Sequence, residues 1–273
     1  MQPALAQVST LAAAFDVDVA DYAAAGCEAI ELWLTKLEDY VEANSVAAAR
    51  ELFSANRLAA PVASFQGGLF EAETAARGQH WDLYRKRLGL CEQLDVKTLV
   101  VALDLARPSS SDSLRDYVER LSAAGKLAAE HRVRLACEFQ ADRGFANNLQ
   151  TAAALVGEVG MANVGLCVDL FHLHTGPSSE SDLALLTNEN LFHVQLSDLV
   201  GTLRELAVDA DRILPGDGEI ALAPLVARLR EIDYGGCVSV ELLNPHVWQI
   251  PPRQFADVAL TALRTALGLA GDG

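Results

Sequence analysis

Four apolar runs in this 273-residue chain end on side chains able to do chemistry. They read Leu135-Ala136-Cys137-Glu138-Phe139-Gln140, Val164-Gly165-Leu166-Cys167-Val168-Asp169-Leu170-Phe171-His172, Phe192-His193-Val194-Gln195-Leu196-Ser197-Asp198 and Cys237-Val238-Ser239-Val240-Glu241-Leu242. In a strand, alternate residues share a face. If Glu138, Asp169, Gln195 and Glu241 share one face, then Ala136, Cys167, His193, Ser239 and Cys237 lie on it too. The other face carries Cys137, Val168, Val194 and Val240, all apolar. Three carboxylates converging in one place repel each other unless a cation lies among them. The pattern therefore predicts a divalent metal held by Glu138, Asp169, Gln195 and Glu241. An all-oxygen set suits Mg²⁺ or Mn²⁺ better than zinc. The competing reading pairs each acid with its own Arg or Lys. His193, one step deeper than Gln195, reads as support for the site or core, with a ligand role as the alternative.

The elements that position these residues repeat. Apolar runs at roughly Ala4–Ser9, Ala29–Leu34, Val62–Gln66, Thr98–Asp104, Arg134–Gln140, Val164–Leu170, Leu191–Asp198 and Cys237–Leu243 read as strands. Segments of helical period lie between them, such as Ser113–His131 and Asn147–Val159. Helix boundaries are marked by Ser111 and Asp112, by Gly160, and by Pro251 with Pro252. Eight strand–helix units in a chain of this length predict an α/β fold, a (β/α)₈ barrel, as a single domain over residues 1–273. The rival is a doubly wound open sheet. The barrel is favoured because polar residues end several different strands. No glycine-rich phosphate loop is present, so no nucleotide cofactor is expected.

Composition narrows the functional classes. Lys+Arg number 21 against 37 Asp+Glu, a net charge of −16, and 51% of residues are hydrophobic. That balance opposes nucleic-acid binding through phosphates, and no basic cluster is present to hold a phosphorylated ligand. No uncharged apolar run reaches the roughly 18–20 residues of a membrane span. The opening MQPALAQVSTLAAAF lacks the basic segment of a secretory signal. The five cysteines (Cys27, Cys91, Cys137, Cys167, Cys237) read as buried free thiols. A cytoplasmic protein follows as the expectation. A C-x-x-C pair and a nucleophile elbow are both missing, which opposes a structural zinc site and a Ser/His/Asp hydrolase.

In their order along the chain, these residues resemble the xylose isomerase-like TIM-barrel superfamily of sugar isomerases, epimerases and dehydratases. The resemblance rests on Glu138, then V-D-x-x-H (Asp169, His172), then H-V-Q-x-x-D (His193, Gln195, Asp198). R-x-x-P-G-x-G-E follows (Arg212, Pro215, Gly216, Gly218, Glu219), then Y-G-G-x-V-S-V-E ending at Glu241. Many members place a histidine ligand where Gln195 stands. The glutamine version looks like the hydroxypyruvate-isomerase branch, in which that glutamine is a ligand. Here Gly201–Asp211 lengthens the loop before the arginine, and the long Leu199–Gly218 segment reads as a lid.

The resemblance implies that Glu138 and Glu241 are the catalytic acid/base pair as well as ligands, and that His172 and Arg212 grip the substrate. The alternatives are a capping role for His172 and a surface ion pair of Arg212 with Asp209 or Asp211. Trp33, ending the second strand, offers an apolar wall for a sugar or ring. Glu31, Gln66 and Asp104 end strands as pocket or ion-pair candidates. His80 and His174 read as surface or loop residues, and His246 with Trp248 as rim residues.

The expected function is a metal-dependent isomerase or epimerase that moves a proton alpha to the carbonyl of a small keto sugar or hydroxy-keto acid through an enediolate. The alternative is a metal-dependent dehydratase of a cyclic polyhydroxy ketone such as an inosose or 3-dehydroshikimate. The expected partners are that small molecule and, as an option, further copies of the chain in a homo-oligomer. A DNA-repair endonuclease of the same superfamily needs more histidine ligands than these strands supply. A catalytically silent barrel is opposed by the intact acids.

Overall fold

The computed structural model describes residues 1–269, so the last four positions of the expected domain, 270–273, lie outside the described residues. Eight parallel strands close into a barrel in sequence order: β1 Gln2–Ala6, β2 Ala29–Trp33, β3 Ala59–Gln66, β4 Thr98–Ala102, β5 Arg134–Glu138, β6 Val164–Asp169, β7 Leu191–Leu196 and β8 Cys237–Val240. Closure is made by β1 on β8, with Gln2 opposite Cys237 and Leu5 opposite Val240. The helices are α1 Phe15–Ala24, α2 Leu34–Ala43, α3 Val46–Asn56, α4 Thr74–Leu94, α5 Ser111–Glu130, α6 Leu149–Val159, α7 Leu170–Thr175, α8 Leu222–Glu231 and α9 Pro252–Ala266. Among the described residues no helix is long and apolar enough to cross a membrane.

The strands are continuous apolar runs because both of their faces are covered. Outward residues such as Cys137, Val168, Val194 and Val240 join the layer packed under the helices. Inward, Ala4, Ala29, Val62, Val100, Ala136, Cys167, Phe192 and Cys237 form a separate cluster that floors the lumen. Phe192 reaches that floor through a register shift between β6 and β7. Its ring fills the space beside Gly165, where a Cβ would come within 2.7 Å of it. All five cysteines are buried and unpaired.

Every expected strand exists, but most end sooner than the apolar pattern does. β1 lies two or three residues earlier than Ala4–Ser9, and Gln7–Thr10 is a 3₁₀ turn. β4 stops at Ala102, β5 at Glu138, β6 at Asp169 and β7 at Leu196, before Asp104, Gln140, Leu170 and Asp198. Apolar residues continue past each end because the connecting loops pack on the barrel rim. The cap of α5 is Ser110, whose hydroxyl accepts the Ser113 N–H at 3.3 Å, so Ser111 lies inside the helix. Gly160 does end α6, at φ 63°, and Pro251 does precede α9.

Asp198 anchors the long loop after β7. Its Oδ1 accepts the N–H groups of Leu199 (2.8 Å) and Ile220 (2.9 Å), and its Oδ2 those of Gly216 and Gly218 (both 3.0 Å). A Cβ on Gly218 would stand 2.4 Å from that carboxylate, and Gly216 has φ +93°, so the P-G-x-G segment is built to close around the acid. The Asp198 backbone also exchanges two hydrogen bonds with Ile213, an antiparallel bridge that fixes Arg212 beside the barrel mouth. Asp198→Ala should therefore cost about 3 kcal/mol or more, since buried N–H groups lose a charged acceptor. Chemical denaturation measures the loss, and limited proteolysis should show faster cleavage within 199–218. Unchanged stability and cleavage would contradict the anchoring role.

Candidate functional site

Glu138, Asp169, Gln195 and Glu241 do converge at the carboxyl ends of the strands, and all four are buried. Asp169 lies opposite Gln195 in the β6–β7 ladder, and Gln195 opposite Ser239 in the β7–β8 ladder. Glu241 sits one residue past β8, yet its N–H still bonds the Leu196 carbonyl at 3.1 Å. Asp169 begins α7, and its Oδ1 accepts the Phe171 N–H at 2.9 Å.

The cation among these acids is Arg212, 1% exposed. Its Nη1 lies 2.6 Å from Asp169 Oδ2 and 3.2 Å from Glu241 Oε2. Nε and Nη2 both donate to Asp209 Oδ1, at 3.0 and 2.7 Å, and the guanidinium stacks 4.4 Å above the Phe171 ring. The ion pair with Asp209, the alternative to a substrate grip, thus exists, but with the arginine inside the protein. Its remaining charge faces the strand-end acids.

His172 is brought to the same place. Its Nε2 lies 3.5 Å from Arg212 Nη2, 3.8 Å from Asp169 and 4.0 Å from Glu138. Burial lowers its pKa, with the Asp169 charge opposing, so the neutral ring accepts from the guanidinium. Trp33 is not brought to the acids. It packs at a tilt against Phe65 (centroids 5.4 Å apart, rings 44° to each other) and lines a cavity of about 390 Å³ with Gln66, His80 and Asp104.

Beneath the acids lies a polar layer. Glu31 Oε2 takes hydrogen bonds from His193 Nε2 (2.9 Å) and from the Ser239 hydroxyl, and its Oε1 takes one from Gln195 Nε2 (2.9 Å). Gln195 Nε2 also donates to Glu241 Oε1 at 2.9 Å, and Gln195 Oε1 faces the Cys167 thiol at 3.2 Å. Glu31 is therefore a central residue of the lumen, paired there with His193. Its position between Ile30 and Leu32, two residues facing the helices, was the available signal. His193 bonds Glu31 and supports the site from below.

Charge is not balanced here. Burial raises the Glu138 pKa well above the carboxylate range, reinforced by the Asp169 charge. Burial likewise raises that of Glu241, against the pull of Arg212. Glu31 is the opposite case: burial raises it, but the His193 ring and hydroxyl donors outweigh that and hold it low. One guanidinium thus serves Asp169, Glu241 and Asp209, and Glu138 has no hydrogen-bond donor among the described residues. Single oxygen or nitrogen atoms of Glu138, Asp169 and His172 all lie within 4.8 Å of one another. Asp169 Oδ2 touches Arg212 as a charge contact but makes no aligned hydrogen bond. These residues fit a divalent cation: anionic oxygens in excess of their donors, with one neutral imidazole nitrogen beside them.

Comparison with known proteins agrees with the fold. A structure described as the IOLI protein with a binding zinc atom superposes with a TM-score of 0.91 over 100% of both chains, at 22% identity. An inosose isomerase of Halalkalibacterium halodurans is 31% identical over 150 residues, 55% of this chain and 53% of that protein. A 3-dehydroshikimate dehydratase of Pseudomonas aeruginosa is 26% identical over 198 residues, 68% of this chain and 30% of that protein. The chain thus spans about half the length, or less, of these two curated relatives. The sequence profile described as xylose isomerase-like TIM barrel matches residues 19–266, which takes in every residue of the acid cluster and its supports. With that match and a closed eight-stranded parallel barrel, this chain belongs to the xylose isomerase-like TIM-barrel family.

Proposed function

We propose that this chain is a divalent-metal-dependent isomerase or epimerase of a small polyhydroxy ketone, a keto sugar or an inosose-like ring. The observation that carries the reading is a set of buried acids short of positive charge: Asp169 and Glu241 share the Arg212 guanidinium, and Glu138 beside them has no basic partner closer than His172, 4.0 Å away. Glu138, Asp169, Gln195 and Glu241 would hold the cation, with His172 as the nearest nitrogen. When bound, the cation polarises the substrate carbonyl and stabilises the negative charge of the enediolate. Mg²⁺ or Mn²⁺ suits the oxygen donors, and His172 in the set would widen the choice toward zinc.

Glu138 and Glu241 come from β5 and from the end of β8, so they can address a substrate from two sides. One removes the carbon-bound proton alpha to the carbonyl, and the other returns a proton to the neighbouring carbon or to the opposite face. Burial raises the proton affinity of both carboxyls, which favours the protonated partner that returns the proton. His172 would hold a substrate hydroxyl through Nε2 in place of its long contact with Arg212, and Arg212 balances negative charge as it develops on the substrate oxygens. Dehydration is the second reading, favoured by the similarity to a 3-dehydroshikimate dehydratase, because the same acids could expel a β-hydroxyl.

Mn²⁺ at about 100 times its Kd should stabilise the protein by about 2.7 kcal/mol. At this chain length that raises Tm by about 5–10 °C, reversed by EDTA. A Tm indifferent to Mn²⁺, Mg²⁺, Co²⁺ and Zn²⁺ would defeat the cation assignment. With keto sugars and inososes in D₂O, the loaded protein should place deuterium alpha to the carbonyl. Glu241→Gln should slow that exchange by about 100-fold or more while the protein stays folded. Near-normal exchange in the variant would remove Glu241 from the acid/base pair. New ultraviolet absorbance from a conjugated enone, without isomerised product, would select the dehydratase.

A further inference from the structure

The carboxamide of Gln195 can face the acid cluster in two senses, and only its oxygen can hold a cation. Both hydrogens of Nε2 are taken, one by Glu31 Oε1 and one by Glu241 Oε1, each at 2.9 Å. The reversed amide would set Oε1 against those two carboxylate oxygens with no hydrogen in either contact. Of the two carboxylates, Glu31 is the more firmly held. It is fully buried, and its other oxygen is occupied by His193 Nε2 and the Ser239 hydroxyl, so Oε1 is the acceptor left to face Gln195. Glu241 answers instead to Arg212 through its Oε2. Glu31 itself makes no contact with Glu138 or Asp169 among the described hydrogen bonds and ion pairs.

We propose that Glu31 is a positioning residue: it fixes the sense of the Gln195 amide, so that Gln195 presents oxygen, not nitrogen, to the cation. The proposal rests on the metal reading given above. It assigns a purpose to a carboxylate carried 164 residues away in sequence, on the far side of the lumen. It also accounts for a glutamine in the ligand set. An amide is ambiguous as a ligand until something else chooses its orientation, and a fixed carboxylate chooses it by accepting only from nitrogen.

The test uses Mn²⁺ affinity and the Co²⁺ absorption spectrum of the full chain. Glu31→Asp keeps the charge but withdraws the carboxylate by one methylene, out of reach of Gln195. It should weaken Mn²⁺ binding about 10- to 100-fold, as loss of an outer partner does. Gln195→Ala should weaken it at least as much. The double variant should bind no worse than Gln195→Ala alone, because the two losses are one interaction. The Co²⁺ spectrum of Glu31→Asp should move toward that of Gln195→Ala. Wild-type affinity in Glu31→Asp, or losses that multiply in the double variant, would overturn the proposal while leaving the metal reading intact. Failure of the unaltered protein to bind Mn²⁺ or Co²⁺ would overturn both. If Glu31→Asp does not fold, Ser239→Ala removes one of the donors that hold Glu31. It should shift Mn²⁺ affinity the same way by a smaller factor, and an unchanged affinity would overturn the proposal.

Discussion

The arrangement of this barrel mouth follows from one electrostatic constraint: Glu138, Asp169 and Glu241 are buried together, and the one guanidinium among them reaches only Asp169 and Glu241. A buried carboxylate without a partner costs several kcal/mol, and removing one member of a buried pair costs about 3–5 kcal/mol. The surrounding structure is a set of responses to that cost. Asp198 ties down the loop that carries Arg212, the Phe171 ring supports the guanidinium, and Asn244 Nδ2 donates to the Arg212 carbonyl at 3.0 Å. The apolar floor of Ala4, Ala29, Ala136, Cys167 and Phe192 shuts out water from below, so each charge above it acts in a poorly screening medium. That floor amplifies both the repulsion among the acids and the value of any cation that relieves it.

Much of this was legible in the sequence because strand alternation is a strict rule. Cys137, Val168, Val194 and Val240 could face the helices only if Glu138, Asp169, Gln195 and Glu241 faced the lumen, and the barrel brings those four together. The eight strands were legible for the same reason, since each is a run covered on both faces. Strand ends were not. An apolar residue packed under a rim loop looks the same in sequence as one inside the ladder, so Asp104, Gln140 and Leu170 were drawn in.

The harder residues were those whose place depends on a contact far along the chain. Arg212 follows Asp209 and Asp211, which in sequence left a surface ion pair as the alternative to the substrate grip that the resemblance implied. What buries it is the pairing of Ile213 with Asp198 and the closing of two glycines around the Asp198 carboxylate. Glu31 was visible as an acid among apolar neighbours, but its partners Gln195, His193 and Ser239 come from β7 and β8. Alternation gives the face of a side chain, and only the closed barrel gives its depth and its neighbours.

One guanidinium carries one charge, already divided among Asp169, Glu241 and Asp209, and Glu138 adds a further acid besides the well-bonded Glu31. Two states can relieve the excess. Glu138 and Glu241 can keep their protons, as their burial favours, or further positive charge can arrive. In the first state neither carboxyl can accept a proton from carbon, so the mouth is electrostatically at rest but chemically idle. In the second, under the proposed function, Glu138 and Glu241 would be able to ionise, and one of them would be free to take the proton from carbon. The shortage of fixed positive charge is therefore what would couple catalytic competence to cation binding. A second buried arginine would settle the charge permanently and leave the acids without a task.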